Sequence, residues 1–242
     1  MTFLKLVGHA WEAYRRNFRL LAFFSIPFLI AFPLALLLPN FTALSAIFLR
    51  FGSISKDLSA SEAVLVVAVL LVSVLLFSFA LAAINLVIRT QRALQRMTHQ
   101  DIEKVEHHTL TLFLLFLSVF LVTLAVNLLM YDFGMHTTIG ALVGFLAALA
   151  VIFAPQAVVI EDAGLRHAVL YSWRVVVHKL PHFILFLVLA GVLFMLVTGV
   201  FLALEPTIPY ARYLALIVNS VFIVPFLEVL KTQIYLSKYT IL

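Results

Sequence analysis

The chain has 242 residues, of which 64% are apolar and only 11% charged, with a formal net charge of +5 and no cysteine. An average soluble domain is about half apolar and about a quarter charged, so the composition excludes a soluble protein and leaves an integral membrane protein. No basic cluster sits in a sizeable polar domain, which excludes nucleic-acid binding, and the missing cysteines exclude disulfides and thiolate chemistry.

The first seventeen residues carry a helical stripe. Lys5, His9, Glu12, Arg16 and Arg19 form a polar line, and Phe3, Val7, Ala10 or Trp11, Tyr14 and Phe18 oppose it. The pattern predicts an amphipathic surface helix over 2–17, leading into a first apolar crossing at 20–39 that Pro27 and Pro33 bend. About 20 residues cover the ~30 Å hydrocarbon layer, so the run is long enough. Its length and the acidic Glu12 separate it from a signal peptide, and it reads as a retained anchor. Residues 41–51 read as a short surface helix inside the longest connection.

The second crossing is predicted over 63–88, continuing as helix through Arg89, Arg92 and Arg96. Thr98 to Asp101 breaks the pattern and caps a separate helix over 102–108. The third and fourth crossings follow at 110–130 and 138–160. A second surface helix is predicted over 163–180. Leu165, Val169, Trp173, Val176 and Leu180 face the acyl boundary, and His167, Tyr171, Arg174 and His178 form the other side. Glu161 and Asp162 read as the start of that helix, with Asp162 capping Gly164 or Leu165. The last two crossings are 183–204 and 213–235. The expected fold is therefore all-α, a single membrane domain over 1–242 with six transmembrane helices and amphipathic cytoplasmic helices. A surface or cytoplasmic helix precedes each pair of crossings, near 2–17, 89–108 and 163–180, but the spacing differs between copies.

All but three of the sixteen Lys and Arg residues fall on one side of this scheme; Arg50, Lys56 and Arg212 are the exceptions. Lys and Arg concentrate on the cytoplasmic side. Both termini are therefore expected inside, in a multi-pass protein of the cell membrane.

Ionisable and polar groups within apolar spans are the default functional candidates. Glu228 and Lys231 share a helix face at i, i+3 spacing, and with Asn127 and Asn219 they form the candidate polar intramembrane site. Glu228 lies about 22 Å along the helix from Tyr213, nearer the inner boundary than the centre. This favours a neutralised interfacial pair with Lys231 snorkelling over a proton or cation site. Asn85, Asn127, Gln156 and Asn219 read as hydrogen bonds between helices, and Gly140 and Gly144 as a close helix contact. Trp11, Arg16, Arg19, Arg166, Trp173 and Arg174 are the candidate lipid-interface residues. His107 and His108 beside Glu103 and Glu106 make no recognised metal spacing, and no nucleotide or hydrolase fingerprint occurs. No metal, cofactor or catalytic residue is assigned.

Residues 158–174, ValValIleGluAspAlaGlyLeuArgHisAlaValLeuTyrSerTrpArg, resemble a segment of the YciC-like proteins and of the membrane domain associated with some glycerophosphoryl diester phosphodiesterases. The run ProPheLeuGluValLeuLysThrGlnIleTyr at 225–235 is similar to that group's last helix. Leu236–Ser237–Lys238 follows where the group often has an acidic and a basic residue, and no link within residues 1–242 is long enough to hold a phosphodiesterase domain. The resemblance implies a polytopic membrane protein and does not imply hydrolysis. The expected role is non-enzymatic, in envelope maintenance, lipid interaction or complex assembly. The bilayer, with anionic lipid, is the expected partner, beside a membrane-protein partner or a second copy. The alternatives are a small transporter and, behind it, an intramembrane enzyme.

Overall fold

Long runs free of glycine and proline dictate the longest helices. The computed structural model describes residues 2–36, 41–44, 47–50, 60–92, 99–131, 133–208 and 210–237. In chain order it contains α1 (Phe3–Arg16), α2 (Phe18–Phe24), α3 (Ile26–Leu36), a hairpin of β1 (Phe41–Leu44) and β2 (Ile47–Arg50), then α4 (Ala60–Arg92) and α5 (His99–Tyr131). There follow α6 (Ala141–Val151), α7 (Ala154–Glu161), α8 (Leu165–His178), α9 (Leu180–Leu204), α10 (Ala211–Val218) and α11 (Val224–Leu236). Five helical stretches are long and apolar enough to cross a membrane: Val67–Gln91, Glu103–Met130, Thr138–Glu161, Leu180–Leu204 and Tyr213–Leu236. The apolar helical stretch Phe18–Ala31 is shorter.

Several expected boundaries move, each for a local reason. The helix expected over 102–108 is continuous with the third crossing, because only Thr109 stands between His108 and Leu110 and no Gly or Pro interrupts α5. Residues 41–44 and 47–50 pair as antiparallel strands, Phe41 opposite Arg50, instead of forming a surface helix; Phe, Thr and Ile suit strands. The run expected as the first crossing is jointed at Ser25, whose Oγ bonds the Leu21 carbonyl at 2.6 Å just before Pro27 enters the first turn of α3. Arg96, Pro39 and the turn residue Pro209 lie outside the described residues.

Two more joints interrupt the stretches expected as the fourth and sixth crossings. Pro155 cannot donate to the carbonyl one turn back, and the stretch Thr138–Glu161 breaks at Ile152–Phe153 into α6 and α7. Ahead of Pro225, the stretch Tyr213–Leu236 forms a π-helical turn at Asn219–Ile223, with the Val224 N–H reaching the Asn219 carbonyl. A second π-helical turn, His136–Gly140, leads into α6.

The densest burial lies where α4, α7 and α11 meet. Ala80 to Ile84 on α4, Ala154 to Val159 on α7, and Val229, Leu230, Ile234 and Tyr235 on α11 all have almost no exposed surface. The first helix docks there too. Leu6, Ala10 and Tyr14 form its buried stripe. Trp11 and Tyr14 meet Phe226, and Phe18 stacks on Phe222, so this stretch runs antiparallel to the stretch Tyr213–Leu236. By contrast α9 buries only Phe183 and Phe186.

The second surface helix, α8, has a different buried face from the one expected. Small residues are seated inward: Ala168, Ser172, Val175 and Val176 are buried, against α6 and α7. Leu165, Trp173 and Leu180 are exposed as an acyl-facing side requires, but Val176 belongs to the protein interior. Leu170 and Val177, assigned to neither expected side, are exposed at 60% and 53%.

Candidate functional site

Glu228, Lys231 and Thr232 share the inner face of α11 because i, i+3 and i, i+4 spacing stacks them over one helical turn. Lys231 Nζ lies 2.6 Å from Glu228 Oε1, with both side chains buried. The ammonium does not snorkel outward as expected. It turns inward and donates to the Ile152 carbonyl at 3.1 Å, an acceptor located at the α6–α7 break. The donor at the same break, the Phe153 N–H, bonds Ser172 Oγ on α8 at 3.0 Å.

Three helices close around the pair. Gln156 on α7 donates from Nε2 to Glu228 Oε2 at 3.1 Å and to Asn85 Oδ1 on α4 at 3.2 Å. Thr232 Oγ1 lies 2.7 Å from Asn85 Oδ1 and 2.9 Å from the Glu228 carbonyl, so its single proton is shared between them. Asn85 Nδ2 donates to the Leu81 carbonyl at 2.9 Å. Only the Gln156 Oε1 atom of this cluster is buried without a partner. Burying charge is costly unless it is paired and hydrogen-bonded, and here both conditions are met.

One turn beyond Asn85, Arg89 reaches the end of α7. It donates to the Val159 carbonyl at 2.5 Å and forms a two-pronged pair with Asp162, at 3.2 and 3.1 Å. Asp162 does not cap α8: Gly164 is the N-cap residue, with no side-chain cap. Instead Asp162 adopts a left-handed conformation, φ 51°, which closes α7. Burial pushes its carboxyl pKa up, but the hydrogen bond and charge of Arg89 outweigh this and hold it below the ordinary value. The buried His108 ring on α5 stands with Nε2 3.4 Å from Asp162 Oδ1, within ion-pair reach but without hydrogen-bond geometry. Tyr235 donates to Glu161. In α1 the Tyr14 hydroxyl has no hydrogen-bond partner among the described residues, and burial pushes its pKa to about 12.

The other candidates are placed elsewhere. Asn127 Nδ2 bonds the Thr123 carbonyl at 2.8 Å, and its amide lies where a Cβ on Gly140 would go. Gly140 is thus the close contact between α5 and the fourth crossing, and Gly144 is also buried. Asn219 Nδ2 stands 3.5 Å from Thr198 Oγ1 on α9. No described hydrogen bond links Asn127 or Asn219 to Glu228, so the four expected site residues divide into a pair and two separate helix contacts. Arg16, Arg19, Arg166 and Arg174 are exposed, as are Trp11 and Trp173. Among the described residues no group of three His, Asp or Glu side chains could hold a metal ion.

Sequence reasoning under-read Asn85 and Gln156, which form the hub of the cluster. Their signal was present as two amides in apolar runs, one directly after a mid-span proline. No family model matches the chain, and no curated protein or solved structure matches it either.

Proposed function

We propose that this is a non-enzymatic, six-crossing protein of the cell membrane, with both termini cytoplasmic, that reads anionic lipid and supports envelope maintenance or complex assembly. The first crossing in this reading is the jointed run α2–α3, whose 19 positions from Phe18 to Leu36 rise about 28 Å. The observation that carries the non-enzymatic role is the closure of the buried charges on one another. Glu228 is held by Lys231 and Gln156, and Lys231 by Glu228 and a backbone carbonyl. Groups so engaged fasten helices together and offer no free acid, base or nucleophile. The resemblance of residues 158–174 and 225–235 to the YciC-like and phosphodiesterase-associated membrane domains is in keeping with this role.

The exposed Arg16, Arg19, Arg166 and Arg174, with Trp11 and Trp173, supply the lipid-reading surface. Aromatic rings favour the interface, and each cation near an anionic leaflet contributes about 1 kcal/mol. Replacing the four arginines with glutamine is expected to leave insertion intact and to lower co-purification of anionic relative to zwitterionic lipid. Unchanged lipid selectivity in the inserted quadruple variant would refute the lipid-reading role.

A small transporter is the second reading, and the α6–α7 break beside Lys231 favours it, since broken helices build substrate sites in many transporters. Reconstituted Glu228→Gln would then lose a flux that the parent protein shows. No flux in the parent retains the first reading.

A further inference from the structure

The α5 helix packs on α4, α7 and α8, yet the buried polar bonds that lock α4, α7 and α11 together leave it out. The described hydrogen bonds of its side chains return to its own backbone. Thr111 bonds the His107 carbonyl at 3.0 Å, Ser118 that of Leu114 at 2.6 Å, Thr123 that of Val119 at 3.0 Å and Asn127 that of Thr123 at 2.8 Å. Among the described residues, α5 comes within ion-pair reach of another element only at His108. The residue is 2% exposed, and its Nε2, buried with no hydrogen-bond partner among the described residues, stands 3.4 Å from Asp162 Oδ1. That carboxylate already takes both prongs of Arg89 from α4 and belongs to the residue that closes α7. The α4 and α7 helices are thus joined at this point, and α5 stops just short of the joint.

We propose that His108 is a proton-operated latch that ties the amino-terminal end of α5 to the α4–α7 joint. A neutral ring gains little from Asp162 in this misaligned geometry. An imidazolium gains a charge-assisted hydrogen bond of about 2.8 Å, through a closure of about 0.6 Å. Among the described residues, the charges acting on the ring are Asp162 from the end of α7, Arg89 from α4, and His107 and Lys104 from α5 itself. Burial opposes a positive ring, as do Arg89, Lys104 and a charged His107, and Asp162 alone favours it. Proton uptake and closure are therefore one event, because the closed contact is what supports the charge. Burial pushes the Asp162 carboxyl up, but Arg89 more than offsets this, so the acceptor stays ionised across the range near neutrality where histidine titrates.

Hydrogen–deuterium exchange of the whole protein in nanodiscs tests the latch. Rates for peptides covering residues 104–112 of α5, divided by the intrinsic rate at each pH, measure local opening of this turn. From about pH 8 to about pH 5, protection is expected to rise about tenfold or more, as a hydrogen bond to a charged group provides. Peptides of α9 should stay flat. The rise is lost in His108→Gln and persists in His107→Gln. It is also lost in Asp162→Asn, a change at a side chain 58% exposed that leaves the buried ring in place. Unchanged or falling protection in the parent would overturn the latch. So would a rise that survives His108→Gln or Asp162→Asn, or one that disappears in His107→Gln. None of these outcomes depends on lipid selectivity, so the lipid-reading role stands or falls separately.

Discussion

The α9 and α11 helices both belong to stretches long and apolar enough to cross a membrane, yet they solve opposite problems. The α9 helix runs from Leu180 to Leu204 with hardly a polar side chain and is mostly exposed; Met195, Leu196 and Val200 stand well out. In α11 Glu228, Lys231, Thr232 and Tyr235 are buried among the most enclosed apolar residues of the molecule. In water this would be an inverted protein. In a bilayer the tails solvate Leu as well as a core does, so exposing α9 costs little. The charges of α11 have no water to return to, so they define the interior. Polar bonds between helices, more than apolar contact, single out one arrangement of α4, α7 and α11.

The comparison breaks most severely at Lys231. Lys231→Met leaves Glu228 buried without its cation, and removing one partner of a buried pair typically costs about 3–5 kcal/mol. Unfolding of the purified protein in mixed micelles should show a loss of that order.

Gly140→Ala comes next. The new methyl group meets the Asn127 amide, and overpacking of this kind costs about 1–3 kcal/mol. Asn127→Ala in the same chain should restore most of the loss; no restoration would place the strain elsewhere.

A smaller effect is expected at the Arg89–Asp162 pair. The folded-state pKa of Asp162 is depressed, so its contribution is present above the ordinary carboxylate pKa and fades as pH falls through the folded value. With its side chain 58% exposed, solvent screening keeps this under about 1 kcal/mol. Asp162→Asn should flatten the acid limb of the stability profile, as followed by thermal unfolding between neutral and strongly acidic pH, and Asp162→Glu should not.

The smallest effect is assigned to α9. Leu196, 59% exposed, has little protein to lose. Leu196→Ala should stay within about 0.5 kcal/mol of the parent in the same micelle assay. A large loss there would mean that α9 is covered by another chain.

Much of this contrast was legible in the sequence. The uninterrupted run from Ala63 to Ile88 gives α4 with no competing reading, and i, i+3 spacing alone brings Glu228 and Lys231 together. The break at Ile152 was visible only as a proline inside an apolar run, and nothing local reveals that its acceptor is served by a lysine 79 residues away. The same holds for Arg89 and Asp162, separated by 73 residues. Asp162 looked like a helix cap because a local bond is the only one that spacing can display. The inward face of α8 was misread for a related reason. Ala168 and Ser172 carry little hydrophobic signal, but small size is what close seating on α6 and α7 requires.

The most direct test of the inverted interior is a double-mutant cycle on Glu228→Gln and Lys231→Met, with unfolding free energies measured in one micelle system. The account predicts strong coupling, with the double variant more stable than the sum of the single losses implies by about 2 kcal/mol or more, because each single change strands a buried charge. Additivity within about 0.5 kcal/mol would contradict it, since independent sites behave that way, and the pair would then not be what fastens α11 to α7.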